Sequence, residues 1–497
     1  MNKALRRLSI ACLVMFVVLL GWVNYLQVFR VNSLASEPGN RRIFDQQQKN
    51  QRGEIIAAGG TGPQKVIAES KPLKGGFYHR VYPDPFTYAP ITGYDSILGT
   101  TSPGGITGIE LAENNYLDGT ASKLAVYNLK GLFTGKSRQG ASIYLTISPK
   151  AQAAAYAALA QLGKVAGVVA INPKTGAILA LASYPTFDPN KYATESSAVL
   201  SKIDKAYRTD PNQPLLNRAL NDTFPPGSTF KIVTSSTAFE THKVDNPDST
   251  IPAPTVYPLP GSSSAIHNDD DGPCGNGKPS ILIALTLSCN TAFAELGDHV
   301  GGQNLHTYAD NYNFNDPSLT IPLPVSASPY PLLTDRAQIA QSAIGQFNDK
   351  VTPLEEAMIA ASVANHGVMM QPYMVQEVRA PDQEVVQNTD PTEIRQVVSS
   401  QVASYLTRMM ESVTHNPSGT AYLTAGPPAT RINIAGKTGT AQNGAEAIGI
   451  DDAVFTCFAP ADNPQIAVGV IVKGGGFGAA AAAPVAVAVI KAFLGQQ

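Results

Sequence analysis

Residue types that build metal centres and phosphate sites are scarce in this sequence. Its 497 residues include four cysteines and seven histidines, and none of these form a cluster with metal-ligand spacing. No glycine-rich loop follows a strand-like run, as a phosphate-binding loop would. The sequence therefore predicts a protein that uses neither a metal nor a cofactor.

Charge is equally scarce and nearly balanced. Lysine and arginine total 36 against 38 aspartates and glutamates, which gives a formal net charge of −2, and charged residues make up only 15% of the chain. Nucleic-acid-binding domains typically have a basic excess, so no nucleic acid partner is expected. With 42 glycines and 37 prolines, the composition favours a loop-rich globular protein of two or three domains over a coiled coil or a disordered chain.

One long apolar run is present, near the N-terminus. It extends from Leu8 to about Phe29 and follows basic residues at positions 3, 6 and 7. About 20 apolar residues span a bilayer as a helix, so we predict a cytoplasmic tail over residues 1–7 and a transmembrane anchor over 8–29. A cleaved signal peptide is the alternative, with Ser33-Leu34-Ala35 as its cleavage site, but signal cores extend over only about 7–15 residues. In both cases the remainder lies on the extracytoplasmic side of the cell membrane.

A candidate catalytic motif lies near the middle of the chain, in the stretch Pro226-Gly227-Ser228-Thr229-Phe230-Lys231. If the following apolar residues continue a helix, Ser228 and Lys231 lie one turn apart on the same face. A hydroxyl needs a base within hydrogen-bond reach to act as a nucleophile, and a lysine can serve if burial or a second cation keeps it neutral. Backbone N–H groups at the helix start would stabilise an oxyanion. The pattern predicts a serine nucleophile with a lysine base, although a solvated helix start has the same spacing.

Two more short motifs follow along the chain. They are Ser288-Cys289-Asn290 and Lys437-Thr438-Gly439-Thr440. Ser-x-x-Lys, Ser-x-Asn and Lys-Thr-Gly, in this order, form the motif set of penicillin-binding proteins and serine β-lactamases. On these motifs the chain resembles the class B penicillin-binding proteins, most closely the penicillin-binding protein A group of actinobacteria. The resemblance extends over nearly the whole chain.

The resemblance implies a peptidoglycan D,D-transpeptidase that acts in cell wall synthesis through a serine acyl-enzyme. Ser228 would attack the carbonyl of the penultimate D-alanine of a stem peptide, and Lys231 would take its proton. Ser288 would relay the proton towards the leaving D-alanine, while Asn290 would hold Lys231 and the substrate amide. An amine of a neighbouring stem peptide would then complete the cross-link, and β-lactams would acylate the same serine.

The third motif is implied to bind the substrate. Lys437 would place a cation beside the terminal carboxylate and disfavour charge on the catalytic lysine. Thr438 and Thr440, which flank Gly439, would offer hydroxyls to the same carboxylate. The backbone N–H groups of Ser228 and Thr440 would form the oxyanion hole.

The fold that the family implies is α+β, with an antiparallel sheet flanked by helices. We expect an elongated, non-catalytic pedestal of the dimerisation type over residues 31–145 and a transpeptidase domain over 146–497. Segments Asn40-Arg41-Arg42, 51–56 and 105–110 resemble the pedestal motifs of the family. The region before the nucleophile is too short for a glycosyltransferase domain, so the enzyme would be monofunctional. Its partner would be a polytopic membrane glycosyltransferase that polymerises lipid II and contacts the anchor and pedestal.

Several elements of the second domain can be predicted from local patterns. An alanine-rich helix is expected over 149–162, and two apolar runs around the turn residues 172–176 indicate a hairpin. Residues 250–279 are rich in turn formers and predict a long surface loop beside the cleft. The other predictions are a helix over 281–287, a helix from Pro353 to about Asn365, a surface hairpin of 375–379 with 383–386, strands over 453–458 and 466–472, low-complexity stretches over 474–476 and 479–483, and a closing helix over 485–494.

Two other functions remain open from the sequence. A class A β-lactamase would add a glutamate that activates the deacylating water, commonly in a Glu-x-x-x-Asn pattern, and Glu384 and Asn388 have this spacing. The hairpin prediction places Glu384 away from the cleft, which argues against this role. A β-lactam sensor or a non-catalytic scaffold is the other alternative. The intact Ser228, Lys231 and Asn290 argue against a scaffold, and a sensor is expected to have a cytoplasmic signalling domain, for which seven residues are too few.

The four cysteines fit an exported protein. Cys12 lies in the anchor and Cys457 in a predicted core strand, where each is a small apolar residue. Cys274 and Cys289 flank the cleft loop, and an oxidising compartment would allow them to pair. We therefore hypothesise a Cys274–Cys289 disulfide.

Overall fold

The structure of the chain, a computed structural model, describes residues 3–30, 49–96, 105–125, 127, 138–194, 196–269, 272–442 and 451–496. The strands of these residues are β1 (Ile55–Ala57), β2 (Lys65–Pro72), β3 (Tyr78–Val81), β4 (Ser142–Leu145), β5 (Ala166–Ile171), β6 (Ile178–Tyr184), β7 (Val256–Pro258), β8 (Ala265–His267), β9 (Val368–Met370), β10 (Val375–Arg379), β11 (Val385–Asn388), β12 (Glu393–Gln396), β13 (Ala435–Ala441), β14 (Asp452–Ala459) and β15 (Ile466–Val472). The helices are α1 (Lys3–Phe29), α2 (Pro85–Thr92), α3 (Gly108–Ala112), α4 (Asn114–Leu117), α5 (Pro149–Leu162), α6 (Ser197–Arg208), α7 (Lys231–Glu240), α8 (Ile281–Thr286), α9 (Asn290–Val300), α10 (Gly302–Asn311), α11 (Arg336–Ser342), α12 (Pro353–Ala364), α13 (Ser400–His415), α14 (Tyr422–Ala425) and α15 (Gly478–Leu494). Short 3₁₀ turns occur at Ser122–Leu124, Pro189–Tyr192, Gly227–Phe230 and Cys274–Gly277.

The first helix is long and apolar enough to cross a membrane. Within α1, the stretch Arg6–Leu26 has 21 residues, and a helix of that length rises about 30 Å, which matches the hydrocarbon thickness of a bilayer. Its large apolar side chains are exposed, as expected of a surface that faces lipid. The predicted anchor thus corresponds to a continuous helix, whereas Ser33-Leu34-Ala35 and Asn40-Arg41-Arg42 lie outside the described residues.

A five-stranded sheet forms the centre of the second domain, in the order β13-β14-β15-β5-β6. Every neighbouring pair is antiparallel. All residues of β14 and β15 are buried, so both faces of the sheet are covered, which explains why these strands are continuous apolar runs. The predicted hairpin around residues 172–176 and the predicted strands over 453–458 and 466–472 are confirmed. β13 is the outermost strand on one side.

The helices that cover this sheet come from distant parts of the chain. α12 contacts β14, β15 and β5, while α5 contacts β6 and packs on α15, which in turn contacts β14 and β15. Ser148 and Thr352 cap α5 and α12, and each is followed by a proline at the first helical position. The closing helix is longer than predicted, because α15 begins at Gly478 and includes the alanines of 479–483. Alanine has the highest helix propensity, so this run is helical and not merely of low complexity.

The pedestal is built on a six-stranded sheet in the order β11-β10-β4-β1-β2-β3. Two of its strands come from the second domain, because β10 pairs antiparallel with β4 and β11 pairs with β10. The hairpin predicted over 375–379 and 383–386 is therefore present, with β11 shifted to Val385–Asn388. The hairpin adds two strands to one edge of the pedestal sheet, a pairing that the prediction of a surface hairpin did not include. The expected boundary between residues 145 and 146 does not separate the two sheets.

The region predicted as a surface loop over 250–279 has structure of its own. β7 and β8 form a small antiparallel pair, and the 3₁₀ turn Cys274–Gly277 follows. Ile251 N donates to Pro279 O at 2.9 Å, which joins the two ends of the region. The prediction is corrected to a loop that contains a short hairpin.

A buried ion-pair cluster holds the pedestal segments together. Glu110 is fully buried and accepts hydrogen bonds from Arg52 Nη2 at 2.8 Å and from Arg80 Nε at 2.5 Å. Burial alone would raise the pKa of Glu110, but Arg80 and Arg52 outweigh it, so this pKa lies below its ordinary value. Arg52 and Glu110 belong to the pedestal-like segments 51–56 and 105–110, and the ion pair joins these segments.

Side-chain amides of the second domain bind backbone groups of the pedestal. Asn190 Nδ2 donates to Tyr82 O at 3.0 Å, and Asn190 Oδ1 accepts from Tyr82 N at 2.9 Å. Asn217 Nδ2 donates to Pro90 O at 2.9 Å. Together with the shared sheet, these bonds fix the pedestal against the segment that leads to the nucleophile turn.

Candidate active site

The predicted nucleophile lies on a tight turn at the start of a helix. Residues Gly227–Phe230 form a 3₁₀ turn that continues directly into α7. Gly227 has a φ of 55°, and a Cβ atom there would lie 2.6 Å from Thr440 O. Glycine permits both this conformation and this close approach. The turn therefore brings Ser228 against β13, one helical turn before Lys231.

Lys231 is fully buried, and the second motif holds its amine. Lys231 Nζ donates to Ser288 O and to Asn290 Oδ1, each at 2.7 Å, and lies 3.3 Å from Ser288 Oγ. Ser228 is partly exposed, and within the described part of the chain its hydroxyl forms no hydrogen bond with Lys231 Nζ. Catalytic hydrogen bonds are often long before substrate binds and tighten in the complex. The predicted base is thus oriented by Ser288 and Asn290, next to the turn of the predicted nucleophile.

Ser288 lies between two lysines. Its φ of 60° is uncommon for a residue other than glycine and occurs between α8 and α9. Ser288 Oγ is 3.3 Å from Lys231 Nζ and 2.9 Å from Lys437 Nζ, so one hydroxyl bridges two fully buried lysines. Backbone strain of this kind is typical of functional sites, and here it orients the hydroxyl towards both amines.

The two buried lysines have strongly lowered pKa values. Burial, and then the nearby Lys437, hold the pKa of Lys231 well below its ordinary value, although Asp269 opposes the shift. Burial lowers the pKa of Lys437 to about 7, again against Asp269. Lys231 is therefore the neutral member of the pair and can accept a proton at neutral pH. With a pKa of about 7, Lys437 is partly charged at neutral pH, and an anion such as a substrate carboxylate beside it would favour the charged form.

Asn290 begins α9, and its side chain is fixed from both ends. Asn290 Oδ1 accepts from Lys231 Nζ, while Nδ2 donates to the last carbonyl of β8 at 3.1 Å and to Asp269 Oδ1 at 3.0 Å. Asp269 favours the charged forms of both Lys231 and Lys437. No motif marks Asp269, so sequence reasoning missed it. The run of three aspartates over 269–271 is the signal that could have indicated it.

The third motif lies on β13, at the edge of the central sheet. Lys437 Nζ donates to Thr438 O at 2.8 Å, which orients the amine along the strand. Thr438 Oγ1 shares a hydrogen bond of 2.7 Å with Thr420 Oγ1. Thr420 lies just before α14, a helix that packs on α13 and α15, and it was missed from the sequence because only the folded chain brings it to Thr438.

β13 approaches the nucleophile turn closely enough for backbone groups to face each other. A Cβ atom at Gly439 would lie 2.7 Å from Pro226 O, so the absence of a side chain permits the contact. The backbone of Thr440 lies against the same turn, and Gln346 Nε2 donates to Thr440 O at 3.3 Å. The structure therefore brings together the two backbone segments, at Ser228 and Thr440, that were expected to form an oxyanion hole.

Comparison with known proteins agrees with this geometry. Residues 166–491 match the family model of the penicillin binding protein transpeptidase domain. The chain belongs to the penicillin-binding protein transpeptidase family. Residues 52–143 match the model of the penicillin binding protein A dimerisation domain, so the pedestal also corresponds to a domain of penicillin-binding proteins. The family expected from the three motifs is confirmed.

Penicillin-binding proteins of mycobacteria are similar to this chain over their whole length. The peptidoglycan D,D-transpeptidase PbpA of Mycolicibacterium smegmatis is 38% identical over 508 residues, which cover 99% of each chain. The peptidoglycan D,D-transpeptidase PbpA of Mycobacterium tuberculosis is 36% identical over 506 residues, again 99% of each chain. A solved structure of penicillin-binding protein A from M. tuberculosis, a ceftriaxone acyl-enzyme complex, has a TM-score of 0.84 at 35% identity and covers 91% of this chain and 100% of that one. Its penicillin G acyl-enzyme complex has a TM-score of 0.81 at 36% identity, with 90% and 100% covered.

The glutamate that a class A β-lactamase would need is not part of this penicillin-binding site. Glu384 lies between β10 and β11, in the pedestal sheet, and accepts a hydrogen bond from Tyr127 Oη. Glu384 directly precedes β11 and Asn388 ends this strand, so their spacing is that of one extended segment. His366 lies two residues after the end of α12, with a φ of 56°, and so belongs to the end of that helix.

The structure joins Cys274 and Cys289 in a disulfide, with Cα atoms 5.8 Å apart. Cys289 is the middle residue of the second penicillin-binding motif, and Cys274 lies in the turn that follows Asp269 and β8. The bond therefore attaches the loop that holds Asp269 to the catalytic motif. The other two cysteines, Cys12 and Cys457, are unpaired thiols.

Reduction of this disulfide is expected to destabilise the chain. The bond spans 15 residues, and closing a loop of that length in the unfolded state is worth about 3 kcal/mol. A reductant, or the substitution Cys274→Ser, should therefore lower the free energy of unfolding by about that amount. Equilibrium denaturation with and without reductant measures the effect. The double variant Cys274→Ser/Cys289→Ser is the control, and a further loss of its stability on reduction would mean that the reductant acts elsewhere.

Proposed function

We propose that this chain is a monofunctional, serine-type peptidoglycan D,D-transpeptidase of the cell wall, with Ser228 as its nucleophile. The observation that supports it best is the bridge of two buried lysines by Ser288 Oγ, at 3.3 Å from Lys231 and 2.9 Å from Lys437. This bridge supplies a neutral base, a proton relay and a site for an anion within one cluster. The relatives that match the full length of the chain are named peptidoglycan D,D-transpeptidases.

Acylation begins with the attack of Ser228 Oγ on the carbonyl carbon of the penultimate D-alanine of a stem peptide. As the C–O bond forms, the hydroxyl proton moves to the neutral Nζ of Lys231. Ser288 Oγ bonds to this Nζ, and it passes a proton to the nitrogen of the terminal D-alanine while the C–N bond breaks. The step replaces one amide by one ester and returns Lys231 to its neutral form.

Binding of the substrate activates this cluster. The terminal carboxylate lies against Lys437, Thr438 and Thr440 and favours the charged form of Lys437. A cation at Lys437 in turn disfavours charge on Lys231 and keeps the base neutral. The backbone N–H groups of Ser228 and Thr440 donate to the developing oxyanion, and one such donor is worth about 2.7–4 kcal/mol in comparable hydrolases.

The acyl-enzyme is resolved by an amine from a neighbouring stem peptide. The amine attacks the ester carbonyl and gives a proton to Lys231, which passes a proton to the oxygen of Ser228 as the C–O bond breaks. The step leaves a new amide cross-link, a free Ser228 hydroxyl and a neutral Lys231. A β-lactam resembles the D-alanyl-D-alanine end, and its ring nitrogen stays attached after acylation, so no leaving group departs. The acyl-enzyme complexes solved for the similar penicillin-binding protein A support this expectation.

The topology of the chain supports a role at the membrane surface. The basic residues Arg6 and Arg7 favour a cytoplasmic N-terminal end for α1. With the anchor over 8–29 in the membrane, the pedestal over 31–145 and the transpeptidase domain over 146–497 would lie on the extracytoplasmic side. A transpeptidase joins stem peptides and does not polymerise glycan, so the glycan would be polymerised by another enzyme. We infer a polytopic membrane glycosyltransferase that contacts the anchor and pedestal.

Benzylpenicillin is the probe that tests this proposal. The detergent-solubilised full chain should gain one acyl group per molecule, and the adduct should persist for many minutes. Trypsin cleaves after Arg218 and Lys231, so tandem mass spectrometry of peptide 219–231 should place the acyl group on Ser228 and not on Thr229. Rapid release with repeated turnover would instead indicate a β-lactamase, and no adduct at all would indicate a non-catalytic scaffold.

A further inference from the structure

Thr229, which lies between the nucleophile and the base, makes two hydrogen bonds with one hydroxyl hydrogen. Thr229 Oγ1 is 2.8 Å from Pro226 O and 2.6 Å from Glu356 Oε1. A backbone carbonyl oxygen can only accept, so the hydroxyl hydrogen must point to Pro226 O when both bonds are present. The second bond then takes its hydrogen from the carboxyl group. Both contacts are satisfied together only if Glu356 is protonated.

The surroundings of Glu356 favour this neutral form. The residue lies on α12 and is fully buried, and its Oε2 has no hydrogen-bond partner among the described residues. Thr456 on β14 donates to the backbone oxygen of Glu356 and not to its carboxyl group, and Gly469 of β15 presents no side chain. The titratable neighbour on α12 is Glu355, which is buried as well.

Burying the ionised carboxylate of Glu356 with one hydrogen bond and no neighbouring cation would cost free energy of folding. Burial raises the pKa of Glu356 to about 8, and it outweighs the lowering that a hydrogen bond donated by Thr229 to the ionised carboxylate brings. The raised pKa and the count of hydrogen atoms at Thr229 therefore agree. At neutral pH the carboxyl group is a hydrogen-bond donor.

The hydrogen bond from Thr229 to Pro226 closes the turn that contains Ser228. Pro226 and Thr229 stand on either side of Ser228 in the turn, and the hydroxyl of Thr229 binds the carbonyl of Pro226. The same carbonyl faces β13, 2.7 Å from the place of a Cβ atom on Gly439. Its orientation therefore affects how closely the turn approaches the strand that offers the second oxyanion donor.

We propose that protonated Glu356 is a positioning residue for acylation, because its donation to Thr229 Oγ1 commits the Thr229 hydroxyl to Pro226 O and so fixes the turn that presents Ser228. Loss of the proton converts the carboxyl group from a donor into an acceptor. The Thr229 hydroxyl then rotates towards the carboxylate, and the bond that closes the turn is lost. Glu356 touches neither Ser228 nor the substrate site, so it acts through Thr229. The inference rests on the proposed function in so far as acylation is its readout.

Two substitutions of Glu356 separate a positioning role from a packing role. Glu356→Gln keeps the shape and an N–H donor for Thr229 but cannot ionise, whereas Glu356→Leu keeps the volume without any donor. Second-order rates of acylation by a fluorescent penicillin are measured on the full chain. At neutral pH the glutamine variant should react within about twofold of the wild type, and the leucine variant about tenfold or more slowly, as for the loss of one hydrogen bond in the transition state. Thr229→Val should match the leucine variant, and Thr229→Ser should match the wild type.

The pH profile gives a readout that packing alone would not change. Lys231 and Lys437 are present in both the wild type and Glu356→Gln, so their titration should affect both proteins alike. The ratio of the acylation rates of the two proteins therefore isolates the effect of Glu356 ionisation. The wild type should lose acylation relative to the glutamine variant as the pH rises through about 8, where the pKa of Glu356 lies. A ratio that stays constant with pH, or a folded leucine variant that is acylated as fast as the wild type, would overturn the proposal.

A stability measurement tests the proton independently of acylation. The folded wild type keeps a proton that the unfolded chain releases above its ordinary pKa, so its stabilising effect is complete below about pH 4.5 and is lost as the pH rises to about 8. The melting temperature of Glu356→Gln relative to the wild type should therefore increase with pH across this window. If the wild type takes no acyl group, the proposed function fails, but this increase still shows the buried proton. If acylation is normal and the increase is absent, the inference about Glu356 fails.

Discussion

Acylation by a fluorescent penicillin is expected to disappear in Ser228→Ala and to fall by about 10²–10⁴-fold in Lys231→Met, the range for the loss of a positioned general base. Ser228→Ala removes the atom that forms the bond to the acyl group. Methionine keeps the apolar body of Lys231, which is fully buried, and removes only the group that accepts the proton. Time-resolved labelling of the full chain measures both effects.

Two further variants show whether Lys231 acts as a base or as a cation. Arginine keeps a positive charge and cannot be deprotonated in a protein, so Lys231→Arg should be as inactive as Lys231→Met. Lys243 is exposed and lies shortly after the end of α7, so Lys243→Met makes the same change away from the site and should leave the rate unchanged. Substantial activity in Lys231→Arg would contradict a base role and would reassign the proton to another acceptor.

Glu110→Ala is expected to lower the free energy of unfolding by about 3–5 kcal/mol, the usual cost of removing one partner from a buried ion pair. Glu110 is fully buried between Arg52 and Arg80. Arg52 keeps a second carboxylate, Asp95, at 3.2 Å, but among the described residues Glu110 is the acid paired with Arg80. The substitution therefore leaves a buried guanidinium without its counter-charge. Denaturation of the solubilised full chain measures the loss.

Two controls distinguish this ion pair from a general effect of mutating the pedestal. Glu54 lies in the same segment as Arg52 but is exposed, so Glu54→Ala should change the free energy of unfolding by no more than about 0.5 kcal/mol. Replacing Arg80 by methionine together with Glu110→Leu removes both charges and fills their space. This double variant should recover much of the stability. If it is less stable than Glu110→Ala, the loss comes from packing and not from the unpaired arginine.

The proposed catalytic residues could be singled out from the sequence because the chemistry assigned to them depends on short spacings. Ser228 and Lys231 need only one turn of helix between them, and the other two motifs are equally local. Asp269 and Thr420 were missed because they reach the site from a loop and from the turn before α14. Glu356 was missed because it contacts the nucleophile turn from α12. Only the folded chain brings them together. A pair of glutamates within the otherwise apolar run of α12 is the signal that could have singled out Glu356, because a buried carboxyl group needs a partner.

The same distinction separates the parts of the fold that were predicted from those that were not. The β5–β6 hairpin has a short connection with turn residues, and its pairing can be inferred from the local sequence. The pairing of β10 with β4 joins segments that lie far apart in the chain, and no local pattern encodes which distant strand becomes a neighbour. The alanine run of α15 could have been assigned from helix propensity, but it has no alternation of polar and apolar residues to show its buried face.

The second domain contributes β10 to the pedestal sheet, and this pairing limits where the chain can be cut into fragments. A fragment that begins at residue 146 would lack β4 and would leave the edge of β10 unpaired. An exposed strand edge is a template for pairing with another copy, so such a fragment should aggregate although its five-stranded sheet is intact. Retaining β4 alone would move the problem to its other side, where β1 pairs in parallel. The smallest catalytic fragment that stays soluble should therefore include the whole pedestal, so the two domains form one folding unit.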